Sequence, residues 1–283
     1  MPLISEVLER EDIESLLQTS RLGRSAWPNE VWESIGSTNS RAAELAAEGA
    51  PEGVFVVARQ QTAGRGRLGR SWVSPPDAGI YISMLLRPAS LTGGDLAPIT
   101  LACGVAAARA VETVSGVRLG LKWVNDLVCE GRKVGGILAE MPSVPNPNGS
   151  AAGQRALIVG FGLNLKLDAN EVPDDLAEKM GWIGLFAEHP VNPNHLAAQL
   201  LLEVETAYDL LLNKNVKAVL DQWRSLSVTL GREIVATSGS TTITGTAIDI
   251  DEAGALNVQA SDGKMHQIHA GEVTVRMKDG KYI

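Results

Sequence analysis

The sequence predicts an α+β fold in which a mixed or antiparallel sheet with flanking helices precedes a small β-barrel. Two observations predict it. Strand-like and helical segments are interspersed up to about residue 226, whereas short alternating runs alone fill residues 228–283. Short strands at such spacing, separated by turn residues, are typical of a small barrel. Hydrophobic residues make up 45% and charged residues 20% of 283, which is ordinary for a globular protein.

The first part of the chain predicts a helical lead-in, three strands and two helices. Ile13, Leu16 and Leu17 give residues 1–28 a modest apolar stripe. The strands are predicted at residues 30–35, 53–61 and 79–86, and the helices after Gly36 up to Ala47 and at 95–115.

The second part predicts a hairpin from residues 127–131 and 133–141, an exposed loop at 142–153 and a strand at 156–167. A helical block follows Pro193, with Asn194 as its expected cap, and helical character continues over residues 216–226. The pattern changes near residue 228. We therefore predict a lead-in at 1–28, a main domain at 29–227 and a C-terminal domain at 228–283.

Charge and composition exclude several classes of protein. Lys and Arg number 25 against 33 Asp and Glu, so the net charge of −8 argues against a whole-chain grip on nucleic acid. The first residues carry acids where a signal peptide needs basic and then apolar residues. The longest apolar run, 96–111, is interrupted and too short to cross a bilayer. With only Cys103 and Cys129, and no disulfide framework, we expect a cytoplasmic protein without membrane attachment.

The most informative segment is Gly64–Arg70, which holds three glycines and three arginines in seven residues. Crowded guanidinium groups repel one another unless they share an anion, and arginine matches carboxylate and phosphate oxygens two at a time. Glycine allows the backbone to approach a ligand closely. The segment therefore predicts an anion-binding loop, with a solvated surface loop as the alternative.

The same segment satisfies G-x-G-x-x-G, so dinucleotide binding must be considered. That motif requires a helix directly after the turn, whereas this chain continues with SWVSPPDAG, whose prolines and glycine oppose a helix. A nucleic-acid-binding arm would carry several stacking aromatics, and only Trp72 lies nearby.

A second cluster runs from Lys122 to Asp126 and continues at Lys133. Lys133 precedes two glycines at the start of an apolar strand, so its ammonium group can point into a site and contact a phosphate oxygen. Asn125 and Asp126 are candidates for binding a nucleotide or hydrated Mg²⁺. The alternative is a polar hairpin with Asn-Asp at its turn.

Two further segments are weaker indications. Gly160 and Gly162 lie within a predicted strand, where glycine indicates either close approach of a ligand or a β-bulge. Ser37, Thr38 and Asn39 stand at a helix start, where they either cap the helix or bind a polar head group.

In this order, S-T-N, Q-x-x-G-R-G-R-x-G-R, K-W-x-N-D, R-K-x-x-G-I-L and G-x-G-x-N, the motifs resemble those of the biotin protein ligase family. The resemblance covers roughly residues 30–226 as a catalytic domain of the class II synthetase-like type. The tail ending in Gly271–Arg276 resembles the family's SH3-like C-terminal domain. Val124 departs from the proline that is common in the family.

The resemblance implies a ligase that uses ATP, biotin and Mg²⁺ to form biotinyl-5′-AMP and then biotinylates a lysine of a biotin carboxyl carrier domain. It implies catalytic roles for Lys133, Arg67 and Arg65. The implied biotin-binding residues are Ser37, Thr38, Asn39, Gln61, Gly64, Arg65, Gly66, Arg67, Lys133, Gly136 and Gly160. The implied ATP-binding residues are Arg67, Arg70, Trp72, Asn125, Lys133 and Asn164, with Asp126 as a candidate ligand of Mg²⁺.

Some family members carry an N-terminal DNA-binding domain, and only about thirty residues precede the first predicted strand here. We therefore expect ligase activity without DNA binding or repression, in a monomer or weak homodimer. Two alternatives stay open: a lipoate–protein ligase, which shares the adenylate chemistry, and a non-enzymatic module that binds anions or nucleic acid through the basic loop.

Overall fold

A seven-stranded sheet in the order β1-β2-β3-β7-β6-β5-β4 forms the framework of the larger part of the chain. The computed structural model describes residues 7–88, 96–143, 155–167, 179–270, 273–277 and 282. The pair β1–β2 is parallel and the other neighbours are antiparallel. The strands are β1 Glu30–Trp32, β2 Phe55–Ala58, β3 Gly79–Leu86, β4 Gly120–Lys122, β5 Asp126–Cys129, β6 Arg132–Glu140 and β7 Leu157–Asn164. The predicted α+β class is confirmed.

Helices cover both faces of this sheet. They are α1 Arg10–Leu16, α2 Thr38–Glu48, α3 Leu96–Ser115, α4 Pro193–Leu212 and α5 Val216–Leu226. Because side chains alternate along a strand, Ile80, Ile82 and Met84 of β3 face the core formed with α3 and α4. Leu85 of the same strand packs with Leu45 of α2 on the opposite face. The remaining part of this opposite face is free to form a site.

Helix α3 is apolar because it lies in the core. In the described part of the chain, one helix is long and apolar enough to cross a membrane by length and composition, and it is α3, over Ala97–Ser115. Of that stretch, 78% is buried inside the protein. Its Ala-rich sequence lets α4 and α5 pack closely on one side while the sheet lies on the other.

Residues 7–28 are fastened to α4. The Asn194 side chain accepts from the Glu9 N–H at 3.0 Å and donates to the Val7 carbonyl at 2.8 Å. The prediction that Asn194 caps α4 is wrong. Asn192 is the cap, because its side chain accepts from the His195 N–H at 2.9 Å, and Pro193 opens the helix.

A five-stranded antiparallel sheet in the order β11-β10-β9-β8-β12 follows α5. Its strands are β8 Glu233–Ser238, β9 Thr241–Ile250, β10 Leu256–Ala260, β11 Met265–Ile268 and β12 Val273–Met277. All five strands lie within residues 228–283, where the sequence predicts short alternating strands. We propose that the boundary between the two domains falls near residue 228, where the chain leaves α5 for this second sheet.

Candidate functional site

A cavity of about 150 Å³ opens on the face of the large sheet that carries α2. Its floor consists of β6 and β7, where Gly136 lies directly across from Gly162. The start of α2, the loop that contains Gly64–Arg70 and the start of β5 form the walls. Because the floor carries glycines, other parts of the chain can lie directly against the backbone of these two strands.

The glycines of the floor make room for side chains of this chain itself. A Cβ atom on Gly160 would lie 1.9 Å from Asn39 Oδ1, and one on Gly162 would lie 2.4 Å from Trp72 Nε1. A Cβ on Gly136 would come within 3.2 Å of the Trp72 ring. The glycines therefore let Asn39 and Trp72 pack directly against the sheet. Neither Gly160 nor Gly162 lies at a β-bulge in the β6–β7 pairing.

The start of α2 is held by the side chain of Gln61, which comes three residues after β2. Ser37 precedes the helix but makes no capping hydrogen bond with its side chain. Instead Gln61 Oε1 accepts from the Thr38 N–H at 2.9 Å, while Gln61 Nε2 donates to Ser74 Oγ at 3.0 Å. The Ser37 side chain therefore does not cap α2. Ser37 is buried and lines the cavity.

Asn39 is held rigidly by two strands. Ser83 Oγ donates to Asn39 Oδ1 at 2.6 Å, and Asn39 Nδ2 donates to Glu140 Oε2 at 2.8 Å. The other oxygen of Glu140 pairs with Arg65. Glu140 therefore connects the polar end of the cavity to the arginine-rich loop.

The loop folds back on itself through paired backbone groups. The Trp72 N–H donates to the Gly64 carbonyl at 2.9 Å, and the Gly66 N–H donates to the Arg70 carbonyl at 2.7 Å. Leu68 and Gly69 at its tip have positive φ angles of 59° and 70°. The chain then runs into β3 without a helix, which agrees with the exclusion of a dinucleotide-binding turn.

The arginines of this region do not all point to one place. Arg59 pairs with Asp77 at 2.7 Å and does not line the cavity. Arg65, Arg67 and Arg70 do line it. Arg67 donates to Asn125 Oδ1 at 3.2 Å, and burial lowers the pKa of Arg67, although a guanidinium stays charged at neutral pH.

Lys133 reaches the cavity from β6 and pairs with Asp126 of β5. Its ammonium lies 5.2 Å from the centre of the Trp72 ring. Burial alone would raise the pKa of Asp126, but the charge of Lys133 and hydrogen bonds from Lys133 and Tyr282 hold the pKa below its usual value. Asp126 is therefore an anion at neutral pH, and Lys133 has a fixed counter-ion.

Lys122 and Trp123, the first two residues of the K-W-x-N-D motif, bind residues of the C-terminal part of the chain. Trp123 Nε1 donates to the Gly254 carbonyl at 3.0 Å, and the Trp123 N–H donates to Thr229 Oγ1 at 2.8 Å. Lys122 Nζ donates to the Tyr282 carbonyl at 2.9 Å, and burial lowers the pKa of Lys122 to about 8. The Trp123–Val124 peptide bond is cis.

The structure brings most of the predicted site residues together. Those that line the cavity are Ser37, Thr38, Asn39, Gln61, Arg65, Gly66, Arg67, Arg70, Trp72, Asn125, Asp126, Lys133, Gly136 and Gly160.

Two predicted residues, Gly64 and Asn164, lie outside it. A Cβ on Gly64 would come within 2.4 Å of the Trp72 carbonyl, so Gly64 serves packing inside the loop. The Asn164 side chain is buried and donates to the Gly181 carbonyl at 3.0 Å. Gly271 and Glu272 of the tail motif lie outside the described residues.

Gly162, which the sequence analysis considered only as a position of close approach or a β-bulge, lines the cavity. Sequence reasoning missed three residues that hold the site's side chains in place, Glu140, Ser83 and Tyr282. Glu140 carried a signal, because alternate residues of a strand share a face and Glu140 lies on the same face of β6 as Gly136. Ser83 and Tyr282 carried none, since only the folded chain brings them to Asn39 and Asp126.

The residues present do not fit a resident magnesium site. The two oxygens of Asp126 accept from Lys133 and from Tyr282, so they are already engaged. Among the described ranges, no three His, Cys, Asp or Glu side chains come together where a metal could bind. The interpretation of Asp126 as a magnesium ligand is therefore not supported.

Fold and site together define an enzyme-type domain that binds anionic small molecules on a mixed sheet. Three arginines and one lysine line a single cavity in a chain whose net charge is −8. Polar side chains at the start of α2 close one end of the cavity.

Comparison with known proteins agrees. Residues 25–150 match the sequence model of the biotin/lipoate A/B protein ligase family, and residues 229–276 match that of the biotin protein ligase C-terminal domain. The biotin–[acetyl-CoA-carboxylase] ligase of Paracoccus denitrificans is 34% identical over 84% of this chain and 96% of its own. The corresponding Mycobacterium tuberculosis enzyme is 32% identical over 88% and 90%.

Among solved structures, the biotin protein ligase of Aquifex aeolicus in complex with biotin and ATP superposes with a TM-score of 0.75. It is 26% identical and covers 89% of this chain and 100% of its own. The chain belongs to the biotin protein ligase family.

Proposed function

We propose that this protein is an ATP-dependent biotin–protein ligase whose cavity joins biotin to AMP and releases pyrophosphate. The observation that carries the proposal is the placement of Arg65, Arg67, Arg70 and Lys133 around one cavity in a member of this family. Related enzymes are named for biotin ligation, and a related structure holds biotin and ATP.

The first step needs charge neutralisation rather than an acid–base pair. A biotin carboxylate oxygen attacks the α-phosphorus of ATP, and the bond from that phosphorus to the pyrophosphate oxygen breaks. Both reactants are anions, so they repel one another in water. Clustered Arg65, Arg67 and Lys133 would hold them together and stabilise charge on the phosphoryl oxygens.

The polar end of the cavity fits a neutral head group. Ser37, Thr38 and Asn39 offer hydroxyl and amide groups that can exchange hydrogen bonds with the ureido ring of biotin. Arg70, Trp72 and Asn125 lie on the side where the nucleotide would bind. Because the protein offers no magnesium cluster in the described residues, Mg²⁺ would enter on the phosphates of ATP, as this ion usually does.

In the second step the ε-amine of an acceptor lysine attacks the carbonyl of the mixed anhydride, AMP leaves, and the amine loses a proton. The acceptor proposed is a biotin carboxyl carrier domain, because related enzymes are named for acetyl-CoA carboxylase. We place the reaction in the cytoplasm, which agrees with two free, buried cysteines.

The test is formation of the adenylate by purified protein with Mg·ATP and either biotin or lipoate, followed by mass spectrometry. Biotinyl-AMP with biotin alone is the expected result. Lys133→Ala should lower its formation at least about tenfold, or about 1.4 kcal/mol, while the folded fraction is preserved. Lipoyl-AMP instead would favour the lipoate alternative, and no adenylate with either acid would favour a binding module.

We further propose that this chain does not bind DNA and is a monomer or weak homodimer. The net charge of −8 and the position of the loop arginines around the cavity support the absence of DNA binding. A salt-sensitive, sequence-specific gel shift with the pure protein would contradict the first part, and a stable dimer in sedimentation the second.

A further inference from the structure

Tyr282 lies against the site although it comes from the segment after β12. Its hydroxyl donates to Asp126 Oδ2 at 2.5 Å. Its carbonyl accepts from Lys122 Nζ at 2.9 Å, and its ring centre lies 3.8 Å from the same ammonium. Tyr282 thus contacts Lys122, the last residue of β4, and Asp126, the first residue of β5.

Asp126 transmits this contact to the cavity. Its Oδ1 accepts from Lys133, so the two oxygens of one carboxylate are shared between Lys133 and Tyr282. Tyr282 itself does not line the cavity, whereas Lys133 and Asp126 do. A carboxylate held at both oxygens cannot rotate, and its lysine partner is then confined to one position.

The hydroxyl of Tyr282 is a dependable donor. Burial and the adjacent Asp126 charge raise the pKa of Tyr282, so the hydroxyl keeps its proton at neutral pH. The ring position is fixed independently of the hydroxyl by the contact with Lys122.

We propose that Tyr282 is a positioning residue for adenylation, which orients the Asp126 carboxylate and through it the ammonium of Lys133. This inference rests on the proposed function and assigns the C-terminal segment a part in the rate of the first step. Since Tyr282 does not line the cavity, its loss affects kcat more than the binding of biotin.

The test is Tyr282→Phe, which removes the hydroxyl and keeps the ring and carbonyl beside Lys122. A lost hydrogen bond to a carboxylate predicts a fall in kcat for biotin-dependent pyrophosphate release of about tenfold, which exceeds any change in the KM for biotin. The matched control is Tyr208→Phe. The Tyr208 hydroxyl also donates to a carboxylate, Glu52, at 3.2 Å but lies away from the cavity, so kcat stays at the wild-type value.

A double-mutant cycle shows whether the effect passes through Asp126. In an Asp126→Asn background, Tyr282→Phe should lower kcat by clearly less than in the wild type. Equal effects in both backgrounds, an unchanged kcat, or an equal loss in Tyr208→Phe would each overturn the positioning role. If the wild-type protein forms no biotinyl-AMP, the proposed function fails together with the positioning role. If the wild type forms biotinyl-AMP and only the variants deviate, the positioning role alone fails.

Discussion

At the scale of single residues, the site depends on where side chains are missing. Gly160 and Gly162 are on the same face of β7, and each leaves the space that one other side chain occupies. Asn39 is positioned by contact with Gly160 and by hydrogen bonds. The Trp72 indole is positioned by contact with Gly162, because its buried Nε1 has no hydrogen-bond partner among the described residues. Small changes in the floor are therefore expected to affect substrate binding directly.

Gly162→Ala tests this requirement. The new Cβ would lie 2.4 Å from Trp72 Nε1, and overpacking of this kind costs about 1–3 kcal/mol. If the full cost falls on the transition state, adenylation should fall about 5- to 160-fold. Pyrophosphate release measures the effect. Gly36→Ala is the control, because its Cβ meets nothing within 4 Å and activity should be retained. Normal activity of Gly162→Ala would show that the indole position is not critical.

Glu205 shows how one buried carboxylate attaches the N-terminal residues to α4. Its oxygens accept from the N–H groups of Ser20, Arg21 and Leu22, at 2.7, 2.8 and 2.8 Å. Burial alone would raise the pKa of Glu205, but these hydrogen bonds hold the pKa below its ordinary value of 4.5. The stabilisation is therefore present above pH 4.5 and is lost as the pH falls through the lower folded-state value.

Glu205→Gln should lower the free energy of unfolding by about 1–3 kcal/mol at pH 7, because an amide cannot replace a carboxylate that accepts several N–H groups. The loss relative to wild type should shrink below pH 4.5. Urea denaturation at pH 7 and pH 4 measures both. Glu203→Gln on the same helix is the control, with a change of less than about 1 kcal/mol because its pair with Arg109 is long, at 3.9 Å. A loss that stays constant with pH would argue against this account.

At the scale of elements, the loop around Gly64–Arg70 concentrates positive charge at the site. Arg65 and Arg70 are exposed and Arg67 is half-buried, so three positive charges are close together at the mouth of the cavity. Pairing of Arg65 with Glu140 offsets part of their repulsion. Bound carboxylate and phosphate groups would offset more of it and close the loop over the anhydride.

We expect saturating biotin plus ATP to slow tryptic cleavage after Arg65, Arg67 and Arg70. The reason is that the bound anions order the loop and occupy its arginines. Cleavage after the exposed Arg118, which lies outside the site, is the internal control and should be unchanged. Cleavage at the loop that proceeds at the same rate with and without substrates would refute loop closure.

At the scale of the whole molecule, the Lys122–Asp126 segment serves two parts of the structure at once. Trp123 binds the turn between β9 and β10 of the five-stranded sheet, and Lys122 binds Tyr282 beyond β12. Asn125 and Asp126 face the cavity. Val275 of β12 also lines the cavity, so the second sheet forms part of its wall. The two sheets are therefore expected to act as one unit in catalysis.

Trp123→Phe should loosen this junction by removing the hydrogen bond to the Gly254 carbonyl. We expect a loss of about 1 kcal/mol in the unfolding free energy, with faster hydrogen exchange in β9 and β10. Exchange mass spectrometry resolves the two sheets. Trp32→Phe is the control at the exposed edge strand, where the indole donates to Glu30, and β9 and β10 should be unaffected. Uniformly faster exchange in Trp123→Phe would mean that the junction is not local.

The sequence by itself determined the class of fold, most of its elements and most of the residues that line the cavity. It could do so because strand alternation, helix spacing and clustered arginines are properties of neighbouring residues. β3 and the five C-terminal strands follow directly from such local patterns. Asn192, rather than Asn194, caps α4 because the Asn194 side chain bonds to residues that are far away in the chain.

Only the tertiary structure decided what the glycines and the Asp126 carboxylate do. The space above Gly160 and Gly162 is filled by Asn39 and Trp72, from segments about 90 to 120 residues earlier in the chain. Asp126 is engaged by Lys133 and by Tyr282, which is 156 residues away. Such contacts leave no local pattern, because their partners meet only when the sheets have formed and packed together.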